Sequence, residues 1–200
     1  MGLLRKTLDL VFPLKPEEPQ MEDIKMVKIS DIKGKGTILA NKVEAAQKCY
    51  DEENERAKTI ENKASMFITS TGFLGTVLIG TSTFIVSKSE DSAFCVFLML
   101  ICLFAFVIYM IGTILNSLKA LQRTVYFFPD PHYDIPDKDE FNRKRIYDLV
   151  NSCLNNQRAT NIKMDYVVLA QRFFKRAMIS VVGYVIALTI YIVSRVFFEY

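Results

Sequence analysis

A single histidine, four scattered cysteines and no CxxC spacing leave this chain without a recognisable metal-binding cluster. Cys49, Cys95, Cys102 and Cys153 read instead as small, buried apolar residues. His132 stands beside acids in the proline-rich stretch Pro129 to Pro136 and reads as an exposed loop residue. Gly34-Lys35-Gly36 lacks the glycine spacing and the strand–loop–helix setting of a phosphate loop, and reads as a flexible joint. No nucleophile stands with a base in a recognisable context. The chain is therefore read as non-enzymatic, with no catalytic residues, no cofactor and no metal.

Charge is missing in a second, more informative way. Met66 to Ser87, Ser92 to Leu118 and Ala177 to Ser194 contain no Asp, Glu, Lys or Arg. An apolar helix needs about 20 residues to cross roughly 30 Å of hydrocarbon. The first two runs meet that length, and the third does so with Val196, Phe197 and Phe198 once Arg195 snorkels to the interface. No Asp, Glu, His, Lys or Arg lies within the first two runs, which argues against a transporter driven through an intramembrane carboxylate. The fold class expected is an all-α integral membrane protein. Its three transmembrane helices carry long cytoplasmic helical extensions that form a stalk.

The basic residues orient that arrangement. Of 25 Lys and Arg, twelve precede Ser65 and eleven lie between Asn116 and Arg176. The positive-inside rule then places the N-terminus in the cytoplasm and the C-terminus outside, in a multi-pass protein of the inner (plasma) membrane. A net charge of +3 is too weak to suggest nucleic-acid binding; the basic residues act as topology signals beside anionic lipid.

In order, the chain divides into an N-terminal amphipathic and proline-containing segment (1–36), a cytoplasmic helix (37–65) and span one (66–86). Span two (94–115), a cytoplasmic loop and long helix (116–176) and span three (177–198) follow. Met1 to Phe12 is too interrupted by charge for a signal peptide, and Lys6 spoils a myristoylation motif. Pro13, Pro16 and Pro19 impose an extended spacer. Met21 to Lys33 fits a short strand or a helical turn. Ser87 to Ala93 is a polar turn that makes spans one and two a hairpin. Asp137 and Glu140 are placed as the N-cap and N3 acid of the long helix, which enters span three without a break. The polar patch Asn155 to Asn161 either fixes register in the stalk or faces solvent, with solvent exposure as the default reading.

Two stripes stand out on the first helix. Leu39, Val43, Ala46, Tyr50, Ala57, Ile60 and Ala64 alternate four and three apart, a heptad seam interrupted by Glu53, and call for a partner along the stalk. Thr69, Gly72, Thr76, Gly80 and Thr83 share another face within span one. Small and hydroxyl residues on one face suit close helix packing or a weakly polar pore lining in an oligomer. Span two is bulky on nearly every face and reads as the lipid-contacting span.

Three features together resemble the small membrane effectors of bacterial anti-phage systems, the SLATT and Pycsar-effector transmembrane (PycTM) group. They are a polar helix ending Glu61-Asn62-Lys63-Ala64-Ser65 ahead of span one, a tight hairpin, and Asn156-Gln157-Arg158-Ala159-Thr160-Asn161-Ile162-Lys163-Met164 leading through Lys175-Arg176-Ala177 into a last span. The resemblance covers roughly Ile38 to Ser194. It implies a homo-oligomer in membrane lipid that damages the inner membrane when infection is sensed, killing or arresting the cell. Met1 to Lys33 is too small to be a cyclic-nucleotide-binding domain, so the activator would be a separate cytosolic protein. The other reading is a membrane sensor or anchor whose stalk holds or releases a soluble partner through residues such as Tyr50 and Ile60.

Overall fold

The computed structural model describes residues 26–86, 93–122, 126–130 and 135–198. The side chains of residues 84–86, 93, 195 and 197–198 lie outside that description. So do the expectations for the N-terminal amphipathic and spacer segments, the polar turn after residue 86, His132, the snorkelling of Arg195 and the C-terminal tail. All regular structure among the described residues is helical. A 3₁₀ turn at Ile29–Asp31 precedes three helices, α1 (Thr37–Val86), α2 (Ala93–Leu121) and α3 (Lys138–Phe198). Each of the three is long and apolar enough over part of its length to cross a membrane.

α1 begins where glycine ends. Gly34 and Gly36 sit at φ +130° and +54°, conformations that residues with a Cβ adopt only with strain. The Gly36 carbonyl accepts the first helical hydrogen bond, from the Ala40 amide at 3.1 Å. From Thr37 to Thr71 neither glycine nor proline interrupts the run, so the helix continues without a break from charged sequence into apolar sequence. α3 starts after Pro136. The Asp137 carboxylate accepts the Asp139 amide at 3.0 Å, and Asp139 and Glu140 place acid in the first turn, where the helix dipole favours it. At 50 and 61 residues, α1 and α3 extend for about 75 and 90 Å, far beyond the hydrocarbon thickness of a bilayer.

The chain forms two compact units, to both of which α1 and α3 contribute. The first contains Lys63–Leu121 and the part of α3 from Tyr166 onward. Its core is Leu78, Met99, Phe106, Ala177, Tyr184, Ala187 and Tyr191. Glycines set how closely these helices approach: a Cβ on Gly112 would lie 2.5 Å from the Phe173 ring, and one on Gly183 would lie 3.3 Å from Cys102 Sγ. Phe67 and Phe174 meet with ring centroids 5.4 Å apart. Later in α1, Ser82 Oγ donates to the Tyr184 hydroxyl at 2.9 Å. The numbering of these contacts makes α1 and α3 parallel within this unit and α2 antiparallel to both.

Most of the apolar surface in that unit faces outward. Only 22%, 11% and 22% of the most apolar stretches of the three helices are buried. On α2, Phe94, Phe97, Leu98, Ile101, Phe104, Ile111 and Leu115 are all exposed, recurring from one end of the helix to the other. A protein dissolved in water rarely leaves apolar patches of more than a few hundred Å² uncovered. Helices satisfy their own backbone polar groups, so this surface is suited to hydrocarbon.

The second unit contains Pro16–Asn62 and Gln122–Asp165. Here the first arm of α1 lies parallel to the first arm of α3. Ile32, Leu39 and Ile146 form one cluster, and Ala46, Tyr50, Leu149 and Cys153 form the next. Further along, Arg56 Nη2 donates to Asn161 Oδ1 at 2.8 Å. The glycine segment before α1 is anchored rather than a free joint. The Gly36 amide donates to Asp139 Oδ1 at 3.0 Å, and Arg143 Nη2 donates to the Gly34 carbonyl at 3.2 Å. Both acceptor and donor come from the first turns of α3, which the local glycine pattern does not reveal.

Candidate functional site

The seam and the stripe fare differently in the structure. Leu39, Ala46, Tyr50, Ala57, Ile60 and Ala64 are buried and Val43 is half-buried, so the seam has its partner within the chain. In its first half that partner is the arm of α3. Glu53 does not break the seam, because it is buried too, at 8% exposure. Its Oε2 accepts from Arg56 Nη1 at 3.4 Å, while Oε1 has no hydrogen-bond partner. By contrast Thr69, Gly72, Thr76, Gly80 and Thr83 are every one exposed. A Cβ on Gly72 or Gly80 would meet nothing within 4 Å. Packing inside the first unit uses Thr71, Gly75 and Leu78 on a different side of α1.

The hydroxyls of the stripe are already engaged. Thr69 donates to the Ser65 carbonyl at 3.1 Å, Thr76 to Phe73 at 2.8 Å and Thr83 to Ile79 at 2.9 Å. Donors satisfied by their own helix cost little against lipid or against another helix. The face is therefore open, small and chemically tolerant.

Polar residues that local sequence patterns leave as surface turn out to tie the second unit together. Asn156 is 1% exposed. Its Oδ1 accepts the Phe127 amide at 2.8 Å and its Nδ2 donates to the Phe127 carbonyl at 3.0 Å. The Tyr50 hydroxyl donates to the same carbonyl at 3.5 Å. Asn151, five residues earlier, holds Val27 in the same two-bond manner at 3.1 and 3.2 Å. Thr160 is buried as well. The expectation that Asn155 to Asn161 faces solvent is thus corrected for Asn156 and Thr160: a helix puts residues four apart on one side, and that side faces the core.

Lys163 is 3% exposed, with Nζ 2.5 Å from Glu61 Oε1 and 5.1 Å from the centre of the Tyr126 ring. Burial alone would lower its pKa. The Glu61 carboxylate and the Tyr126 hydroxyl outweigh that and hold it above the ordinary 10.5. A lysine whose folded value is raised stabilises fully below its unfolded value. That stability is then lost as pH climbs through the higher folded value. Glu61→Gln is therefore expected to cost about 1–3 kcal/mol at neutral pH. In thermal melts above pH 10.5, the gap between the variant and the parent protein should narrow.

A pocket of about 330 Å³ opens between the two arms, lined by Cys49, Glu53, Arg56, Val150, Cys153 and Gln157 among others. Cys49 Sγ and Cys153 Sγ are 3.2 Å apart on its wall. Cys153 also donates to the Cys49 carbonyl at 3.6 Å. Burial pushes the Cys153 thiol up to about 12, with the Cys49 sulfur and the Glu53 charge adding to the shift. The sequence holds one signal for this pairing. Cys153 shares a helix face with Leu149 and Cys49 adjoins the seam residue Tyr50, yet nothing local specifies which turns of the two arms meet. No cluster of metal-ligating side chains occurs among the described residues.

Over the described residues the fold is all-helical, with three helices long and apolar enough to cross a membrane. No family model, curated protein or solved structure matches it.

Proposed function

We propose that the protein is a membrane-embedded effector of a bacterial anti-phage system of the abortive-infection type. In this reading it oligomerises in the inner membrane and permeabilises or disrupts it when a separate cytosolic partner activates it. The N-terminus and both helical arms lie in the cytoplasm and form the stalk that receives the signal.

The observation that carries the reading is the contrast on α1. The heptad seam is consumed within the chain, while Thr69, Gly72, Thr76, Gly80 and Thr83 form a small-residue face with no intrachain neighbour at either glycine. In lipid, helices associate through such faces because small side chains let backbones approach closely. The resemblance to the SLATT and PycTM effectors supplies the consequence of assembly. The alternative, a sensor that grips a soluble partner through Tyr50 and Ile60, draws less support, since both side chains are buried at 7% and 3% exposure.

Gly72→Leu and Gly80→Leu test this cleanly, because neither new side chain meets the chain's own atoms at its Cβ. The protein should assemble in native mass spectrometry from detergent. Co-expression with its genomic neighbours should collapse the membrane potential of cells. Each leucine variant should remain in the membrane, shift toward monomer and lose most of the depolarisation. A monomeric parent protein, or depolarisation unchanged in both variants, would overturn the proposal.

A further inference from the structure

We propose that Cys49 and Cys153 are an oxidation site that closes into a reversible disulfide between the arms of α1 and α3, formed by hydrogen peroxide or a related hydroperoxide. The proposal concerns the second unit alone and stands whether or not the membrane-effector reading holds.

Three observations converge. The sulfurs are 3.2 Å apart, so about 1 Å of closure brings them to the roughly 2.05 Å of a disulfide bond. Cys49 is exposed, against the expectation that all four cysteines are buried, whereas Cys153 is buried, an arrangement with one thiol for the oxidant and one to resolve the product. The pocket of about 330 Å³ whose wall carries both sulfurs gives a small oxidant access to that point. Glu53, Arg56 and Gln157 place charged and amide groups on the same wall, with which peroxide can hydrogen-bond.

The chemistry balances without a further reagent. Cys49 gives up its proton and its sulfur attacks one peroxide oxygen. The O–O bond breaks, the other oxygen leaves with the proton as water, and Cys49 becomes a sulfenic acid. Cys153 Sγ then attacks the Cys49 sulfur. The S–S bond forms as the S–O bond breaks, and the hydroxyl departs with the Cys153 proton as a second water. Two thiols are oxidised by two electrons and one peroxide is reduced to two waters. A thiol reductant reverses the product by exchange.

The bond would fix the two arms at one register. Its ends are 104 residues apart in sequence, so it would close α2, both connections and parts of α1 and α3 into one loop. Where compartments keep thiols reduced, such bonds are characteristically transient and regulatory.

The test uses the full-length protein in detergent, treated with a modest excess of hydrogen peroxide and then alkylated and digested. Two of the four thiols should be lost, a Cys49–Cys153 linked peptide should appear, and dithiothreitol should restore both thiols. Cys49→Ser, at an exposed position that leaves the buried thiol in place, should abolish the linked peptide, as should Cys153→Ser. Cys95→Ser and Cys102→Ser should retain it. The proposal is overturned if Cys153 stays a free thiol while Cys49 proceeds to sulfinic acid. It is equally overturned if Cys49 instead links two copies of the chain, or if no thiol is consumed.

Discussion

Asn156→Leu is expected to cost the helical arms about 2–4 kcal/mol, with the loss read as a lower melting temperature of the purified protein. The asparagine is almost completely buried, and both halves of its amide are committed to one residue of the segment that follows α2. Leucine has a similar volume but offers neither donor nor acceptor. It would leave the Phe127 amide without its partner and the Phe127 carbonyl with only the long bond from Tyr50. The cost of an orphaned buried backbone group is about 1–3 kcal/mol, so two groups set the range, moderated because the Phe127 side chain is itself exposed. Asn156→Asp separates the causes. It keeps the acceptor for the Phe127 amide but places a carboxylate against a carbonyl, so it should also destabilise, and recover as pH falls below the carboxylate range. A melting temperature unchanged by the leucine variant would mean that the clasp contributes nothing.

Gly112→Leu is expected to be at least as damaging, by about 3 kcal/mol or more, and to act on the packing of the apolar helices. The Cβ of any substituent would stand 2.5 Å from Phe173 Cδ1 and 2.9 Å from its Cγ. Those ring atoms lie near the α3 backbone and cannot swing aside as the tip of a flexible side chain does. The two helices must separate, which would also disturb the approach of Gly183 to Cys102 further along the same pair. Gly112→Ala should show a smaller loss of the same sign, and Phe173→Leu should relieve part of it in a double-mutant cycle. The decisive comparison is Gly72→Leu, where the Cβ meets nothing within 4 Å and the monomer's stability should be nearly unchanged. If both leucines melted the protein equally, the distinction drawn between inward and outward glycines would fail.

That distinction marks how much of the molecule the chain's local pattern discloses. Gly72, Gly75, Gly80, Gly112 and Gly183 are alike as residues in apolar helices. Only the three-dimensional packing makes Gly112 indispensable and leaves Gly72 and Gly80 free. The stripe through Thr69 and Thr83 was legible as a face, because helical periodicity is local. Whether that face would be covered depended on which side of α1 received α2 and α3.

The sequence by itself determined the helical class, the continuity of α1 and α3 and the three stretches able to cross a membrane. Absence of charge over a sufficient length needs no knowledge of neighbours, and helix starts at Thr37 and Lys138 follow from glycine and an aspartate cap. It also determined the seam from Leu39 to Ala64, down to the alternation of its spacing. Tertiary structure alone decided what fills that seam, that Glu53 belongs to it, that Asn156 and Lys163 are interior, and that Cys49 meets Cys153. Each of these depends on the register between two arms about a hundred residues apart. That register is set by the summed packing of clusters such as Leu39 with Ile146 and Tyr50 with Leu149, and no single residue encodes it.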